Sequence, residues 1–331
     1  MPRQPRIEIP GALYHVMVRG IERRKIFKDD KDKRIFLGRF ADLIEETRVV
    51  CYAWSLLWNH IHLLLSPREI PLHAFMHRLS TGYAVNFNSR HSRSGHLFQN
   101  RYRAILCQEE AYFQQLVRYI HLNPLLAGLV KTLAELDRYP WCGHSALMGY
   151  HPRTWQAVYE TLRHFGDHPG RARAAYREYL RQKGCEDDET RFLGGGLVRS
   201  AGGRDMVKEM GETGARWDHD ARVLGNGEFV AGILRDLEVK EARPSRLHKE
   251  GWDFEKVIEY VSQNTGVEIE RIRQRCRGNE GSKARALVAY LCHYELDMSV
   301  TEIGACFGIR QPAASKMIRK VNKIRHILSI P

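Results

Sequence analysis

The chain lacks a hydrophobic run of the roughly 20 residues that a membrane helix requires. Its first residues, MPRQPRIEIPG, also lack the apolar core of a signal peptide. These absences predict a soluble, cytoplasmic protein. The seven cysteines are scattered without a C-x-x-C pair, which argues against a zinc ribbon or a disulfide framework. The glycine run at 194–196 is not followed by G-K-[ST], so the sequence has no ATP-binding phosphate loop there.

Acidic residues are scarce in two regions of the chain. The 331 residues carry a formal net charge of +13, from 52 Lys+Arg and 39 Asp+Glu. Residues 1–150 hold 21 basic against 13 acidic residues, and residues 271–331 hold 12 against 4. Between Glu69 and Glu109 no acidic residue occurs. Two basic regions favour a nucleic-acid partner, the alternative being a basic surface that only keeps the protein in solution.

Hydrophobic periodicity over the first 130 residues follows the order β-α-β-β-α-β with one further helix. It predicts an α+β fold, namely a ferredoxin-like antiparallel sheet with helices on one face. The predicted strands are 13–19, 49–58, 60–65 and 101–107, and the predicted helices are 30–46, 71–88 and 109–126.

The remaining sequence predicts helices on both sides of a glycine-rich segment. Residues 140–180 have a helical pattern, residues 191–217 concentrate glycine, and the chain from 252 is helical throughout. The predicted division is a catalytic domain at 1–145, a helical extension with a connector at 146–250, and an all-α DNA-binding domain at 251–331.

Two histidines occupy alternate positions in the apolar run WNHIHLLL. Residues i and i+2 of a strand point to the same face, so His60 and His62 emerge together. Convergent imidazoles on a rigid sheet can begin a divalent-metal site. Taken alone, the pair favours two structural polar groups over a metal site.

Tyr119 and Asn123 lie four residues apart in VRYIHLNPLLAG, which puts them on one face of the predicted helix. A phenol beside a carboxamide supplies a nucleophile and an oxygen ligand that can share one metal-bound phosphate. An amphipathic core helix with Tyr119 as a buried anchor is the alternative.

Three motifs in fixed order, WNHIHLLL, GHLFQNRYRAILC and YFQQLVRYIHLNPLLAGLV, resemble the single-tyrosine HUH transposases. The resemblance covers about residues 5–145. Among these transposases, the motifs look most like the branch called REP-associated tyrosine transposases. It implies an HUH nuclease core in which His60, His62 and Asn123 hold Mg²⁺ or Mn²⁺ and Tyr119 is the nucleophile. It further implies cleavage and rejoining of single-stranded or hairpin DNA through a 5′-phosphotyrosine intermediate.

The basic stretch before the predicted fourth strand suits DNA contact. Arg101 and Arg103 alternate with Tyr102, so the two arginines are predicted to share a face and to hold phosphate. His96 and Phe98 offer rings on which unpaired bases can stack. Each arginine by itself is equally typical of an exposed solvating charge.

The segment SVTEIGACFGIRQPAASKMIRKVNKI has the pattern of a helix-turn-helix, with Ile303 and Phe307 facing inward. About residues 281–325 resemble the DNA-binding domain of the replication initiator DnaA, which implies contact with duplex DNA. The predicted contacts are Arg310, Lys316, Arg319 and Lys320.

Two other functions remain open from the sequence. One is a sequence-specific DNA-binding regulator without catalysis, and the other is a metal-dependent hydrolase without a covalent step. No membrane partner is expected, and a cytoplasmic, nucleoid-associated location is predicted. The sequence leaves open whether the protein is a monomer or a homodimer.

Overall fold

A computed structural model describes residues 6–182, 220–274, 280–321 and 330–331. The predicted glycine-rich connector at 191–217 lies outside these ranges. The chain forms two compact units, Met1–Gly232 and Ile233–Pro331. The sequence predicted three parts, but the helices that follow residue 145 share a core with the sheet of the first unit.

A five-stranded sheet is the centre of the first unit, and its strand order is β2-β3-β1-β4-β5. The strands are β1 (Leu13–Arg19), β2 (Val50–Leu56), β3 (His60–Ser66), β4 (Arg103–Cys107) and β5 (Val223–Leu224). The first four are antiparallel, in the order expected of a ferredoxin-like fold. The short β5 adds a parallel edge strand that the sequence analysis did not predict.

Helices α1 (Asp30–Thr47) and α2 (Leu72–Arg90) pack beside each other, with the rings of Phe40 and Phe75 centred 5.9 Å apart. Val18 of β1 lines a cleft together with Met76 of α2, so α2 covers the sheet face to which Val18 points. The side chain of Asp29 caps α1 by accepting from the Asp32 amide. These two helices confirm the predicted α+β arrangement.

Helix α3 (Glu109–Leu126) covers the opposite sheet face. Its Leu116 and Ile120 join a core with Leu13 and Ile105, which point away from Val18 by strand alternation. Further helices complete this core, in which Tyr176 is fully buried. They are α4 (Leu133–Asp137), α5 (His144–Leu147), α6 (Val158–Arg163) and α7 (Pro169–Arg181).

A buried series of hydrogen bonds holds α3 on the side that faces away from the sheet. The Asp137 carboxylate only accepts, so His144 donates from Nε2 over 2.8 Å and, being neutral, accepts from Tyr176 at Nδ1 over 2.9 Å. His121 then donates from Nδ1 to the Tyr176 hydroxyl over 2.8 Å. Burial lowers the pKa of His144 and of His121, which keeps both rings neutral. Every hydrogen bond in this series therefore donates toward Asp137, and the series holds His121 on the side of α3 that faces away from the sheet.

In the described part of the second unit, every secondary-structure element is a helix. Its helices are α8 (Gly227–Lys249, which spans the boundary between the units), α9 (Phe254–Thr265), α10 (Ile269–Arg273), α11 (Glu280–Tyr294), α12 (Val300–Cys306) and α13 (Gln311–Lys320). Ile303 and Phe307 are buried, as predicted. A side chain at Gly304 would meet the Ile309 carbonyl oxygen at 2.8 Å, so glycine allows the close turn into α13.

No helix in the described part of either unit is both long enough and apolar enough to cross a membrane.

Gly143 provides a test of the packing behind α3. A Cβ at this position would lie 2.8 Å from His121 Nε2, 2.9 Å from Gln156 Nε2 and 3.0 Å from Trp54 Cδ1, and these three side chains are buried. We expect Gly143→Ala to lower the free energy of unfolding by about 1–3 kcal/mol, because none of these groups has room to move. Urea denaturation followed by circular dichroism measures this.

Gly38→Ala is the matched control, because Gly38 lies inside α1 with no atom within 4 Å of the added methyl group. It should raise the free energy of unfolding by roughly 0.5–1 kcal/mol through helix propensity. Equal stability of Gly143→Ala and the wild type would contradict the described packing.

Candidate active site

One face of the sheet gathers the polar side chains of three strands. Directly paired residues of antiparallel strands lie on the same face, and Met17 pairs with both His62 and Arg103. His60 pairs with Arg19, two residues further along β1. The histidines and arginines of this face are His15, Arg19, His60, His62 and Arg103.

Tyr119 of α3 lies directly over these histidines. Its ring centre is 5.5 Å from that of His62 and 5.8 Å from that of His15, and both contacts are edge-to-face. The His60 and His62 rings are 5.0 Å apart. The structure therefore brings the predicted histidine pair and the predicted nucleophile into one cluster.

Hydrogen bonds fix which nitrogen of each histidine can bind a metal. The Asn59 amide donates from Nδ2 to the Arg23 carbonyl, so its Oδ1 accepts from His60 Nδ1 over 2.7 Å. His62 Nδ1 lies 3.0 Å from His15 Nε2. Nε2 of His60 therefore has a lone pair for a cation, and Nε2 of His62 has one in the tautomer whose Nδ1 donates to His15.

Both histidines are held in their neutral form. Burial, with a contribution from Arg19, lowers the pKa of His60 to about 4. Burial lowers the pKa of His62 well below its ordinary value, and His15, His60 and Arg19 add to the shift. Neutral imidazole is the form that ligates metals.

Asn123 lies one helical turn after Tyr119, and its Nδ2 donates to the Tyr119 carbonyl oxygen over 2.7 Å. The bond engages the amide nitrogen, so Oδ1 is the atom suited to a hard cation. Among the described residues, no group of three His, Cys, Asp or Glu side chains could hold a metal ion. A cation at this position would therefore depend on two imidazoles and an amide oxygen.

The predicted DNA-contacting residues separate into different places. The expectation that Arg101 and Arg103 share a face is wrong, because β4 begins only at Arg103. Arg103 lies on the Tyr119 face, and burial lowers its pKa while Tyr119 opposes that shift. Arg101 and Phe98 instead line the cleft on the α2 side. His96 is exposed, and its carbonyl oxygen accepts from Arg93 over 2.6 Å.

In the second unit, α13 starts at Gln311 as predicted. Arg310, Lys316 and Arg319 are exposed, whereas Ala314 and Ile318 on the other side of the helix are buried. The side chain of Lys320 lies outside the described part of the chain. The three exposed cations form a charged outer surface on the second helix of the helix-turn-helix.

His15 is the residue that the sequence analysis missed. It is 2% exposed and stacks on His62, with ring centres 5.3 Å apart and an interplanar angle of 15°. Strand alternation puts His15 on the same face as Arg19, but sequence gives no signal for which strand pairs with β1. A histidine that orients a metal-binding histidine affects both ring position and ligand strength.

Comparisons with known proteins agree with both resemblances. Residues 9–123 match the family model described as "Transposase IS200 like", and residues 254–324 match "Bacterial dnaA protein helix-turn-helix". No curated protein matches the chain. The N-terminal match is thus to IS200-like transposases, and the C-terminal match is to the helix-turn-helix of bacterial DnaA proteins.

Two solved structures have limited similarity to the chain. One is described as the REP-associated tyrosine transposase bound to a REP hairpin, with 16% identity, a TM-score of 0.39, and coverage of 48% of this chain and 90% of that one. The other is a putative transposase from Deinococcus radiodurans R1, with 18% identity, a TM-score of 0.26, and coverage of 35% and 92%.

The lowered pKa of His60 predicts how stability depends on pH. The unfolded state takes up a proton near pH 6.5 and the folded state only near 4, so the free energy of unfolding falls as the pH drops between these values. Between pH 6.5 and 4.5, the wild type should lose about 1–2 kcal/mol more than His60→Gln. Urea denaturation at both pH values checks this, and identical losses would contradict the described burial of His60.

Proposed function

We propose that the protein cuts and rejoins single-stranded or hairpin DNA through a covalent 5′-phosphotyrosine at Tyr119. The observation that carries this proposal is the contact of the Tyr119 ring with His62, at 5.5 Å between ring centres, on the face that also holds His60. The IS200-like transposase match over residues 9–123 supports the same class of reaction.

The cation proposed for this reaction is divalent, Mg²⁺ or Mn²⁺. His60 and His62 would hold it through Nε2, and Asn123 would hold it through Oδ1. When bound, such an ion polarises a phosphate and offsets the charge that develops in phosphoryl transfer.

Tyr119 supplies the nucleophile of the proposed step. The bond from its Oη to phosphorus forms as the bond from phosphorus to the 3′ oxygen breaks, and the phenolic proton ends on the leaving 3′ hydroxyl. Attack by a 3′ hydroxyl reverses the step and rejoins DNA, because the phosphodiester energy is kept in the covalent link. Arg103 faces the same side of the sheet and is suited to hold the phosphate beside Tyr119.

One observation favours the alternative of a DNA-binding regulator without catalysis. Tyr119 is 3% exposed and Asn123 is 8% exposed, so a phosphate reaches them only if α3 or its surroundings move. The covalent intermediate distinguishes the two functions, because a regulator forms none.

Tyr119→Phe tests the proposed nucleophile. It removes only the hydroxyl group, so folding and DNA affinity should survive while the covalent protein–DNA product is lost. The measurement is a denaturing gel after incubation with labelled hairpin DNA and Mn²⁺.

Tyr112→Phe is the matched control, since Tyr112 lies on α3 two turns earlier and is also largely buried. This variant should still form the adduct. A wild-type protein that binds the hairpin without forming any adduct would favour the regulator.

The second unit is proposed to bind duplex DNA through α13. Replacing Lys316 and Arg319 by alanine should weaken duplex binding and reduce the slope of log K against log salt by about 2, since each phosphate contact contributes roughly 0.9. Fluorescence anisotropy at several salt concentrations measures the slope.

Alanine at Lys249 and Arg271, exposed cations on α8 and α10, is the control and should leave the slope unchanged. An unchanged slope in the α13 variant would show that this helix does not contact DNA.

A further inference from the structure

A cleft of about 280 Å³ opens on the α2 side of the sheet, opposite Tyr119. Val18, Met76 and Phe98 give it apolar walls, and Arg6, Arg101 and Tyr102 lie around them. The side chains that line it include two arginines and two histidines, and the Glu8 carboxylate lies beside it, 2.8 Å from His73 Nδ1. The cleft thus combines an apolar interior with positive charge.

The loop before β4 builds this cleft and is tied to the end of β1. The Gln99 amide donates to the Arg19 carbonyl over 2.8 Å, and the Ile21 amide donates to the Leu97 carbonyl over 3.0 Å. The backbones of Phe98 and Gly20 pair as an isolated antiparallel β-bridge. A side chain at Gly20 would meet the Arg24 carbonyl oxygen at 2.2 Å, so glycine permits this close approach. These bonds hold the Phe98 ring at the cleft without a ligand.

Tyr102 leaves a hydrogen-bonding group unused at this position. Its hydroxyl is buried and has no hydrogen-bond partner in the described structure, although the Arg6 guanidinium lies 4.0 Å from the ring centre. Burial raises the pKa of this phenol, so it remains protonated. A protonated hydroxyl can donate to the amide or ring-nitrogen acceptors of a nucleobase, and because this hydroxyl is buried, such an acceptor reaches it once a covering side chain moves.

We propose that this cleft holds one unpaired base of the bound DNA strand, stacked on Phe98. This inference rests on the proposed function for the identity of the strand. The apolar wall does not suit a bare phosphate, whereas the arginine at the rim does. A flat aromatic base linked to a phosphate matches the whole lining.

The positions of the two arginines give the path of the strand. Arg101 lies on the cleft side and Arg103 on the Tyr119 side, and two extended residues separate them by at most about 7 Å. Because the two side chains point to opposite faces of the sheet, their guanidinium groups lie farther apart than the backbone atoms do, and the path between them spans a few nucleotides at about 3.4 Å per stacked nucleotide. The captured base should therefore lie within a few nucleotides of the phosphate that Tyr119 attacks, with the strand crossing the end of the sheet.

An abasic walk tests the proposal without depending on cleavage. All proteins carry Tyr119→Phe, and the probe is a DNA stem-loop with twelve unpaired nucleotides on its 5′ side, each replaced in turn by an abasic residue. Phe98→Leu keeps the apolar volume but removes the flat ring, and should weaken binding of the intact probe about fivefold or more. Tyr102→Phe should weaken binding by about three- to tenfold.

The loss of affinity caused by each variant should vanish when one particular nucleotide is abasic and should persist at the other positions. A missing base can neither stack on the ring nor accept a hydrogen bond. Tyr159→Phe, an exposed tyrosine elsewhere in the unit, should bind as well as its parent. Penalties that are absent, or equal at every abasic position, would overturn the proposal and leave the cleft to another occupant, such as a segment of protein. If the loss of affinity vanishes at one abasic position while the wild type forms no covalent adduct, the base pocket stands and the proposed catalysis fails.

Discussion

The contact between His15 and His62 beneath Tyr119 is the constraint on which the candidate site depends. The two rings share a hydrogen bond of 3.0 Å and stack in a site from which water is excluded. Burial of two imidazoles is favourable only while both stay neutral and hydrogen-bonded. The pairing of β1 with β3 satisfies that condition, because it places the two rings within hydrogen-bond distance. Since Nδ1 of His62 bonds to His15, Nε2 of His62 is the nitrogen that faces other partners. The same constraint fixes where α3 can lie, because Tyr119 packs edge-on against both rings.

Helix α3 is held from two sides, and this accounts for its unusual burial. On the side that faces the sheet, Tyr119 contacts the histidine cluster. On the other side, His121 ends the series of hydrogen bonds that runs through Tyr176 and His144 to Asp137. The proposed nucleophile is thus oriented with little freedom, as the proposed covalent step would require. The low exposure of Tyr119 implies that substrate entry needs movement at the outer end of the helix.

Much of this architecture was predictable where the local pattern is strong. Strand β1 and helix α3 have the predicted bounds, because seven alternating residues and eighteen amphipathic ones give clear periods. The start of β4 was placed two residues early, since the hydrogen bonds that keep Arg101 in the preceding loop are made to β1 and are invisible in the sequence. His15 was missed for the same reason, because its role depends on strand pairing. The two-residue β5 has no local signal.

The central claim is that Tyr119, beside the histidine pair, forms the covalent link to DNA. Mass spectrometry of the digested adduct tests it most directly, since trypsin cleaves after Arg118 and so separates the two tyrosines of α3. Tyr112 falls in the peptide 104–118 and Tyr119 in the peptide 119–131. The account predicts a 5′-phosphate-linked nucleotide on Tyr119 in the peptide 119–131. A nucleotide on any other residue, or one joined through its 3′ phosphate, would contradict it.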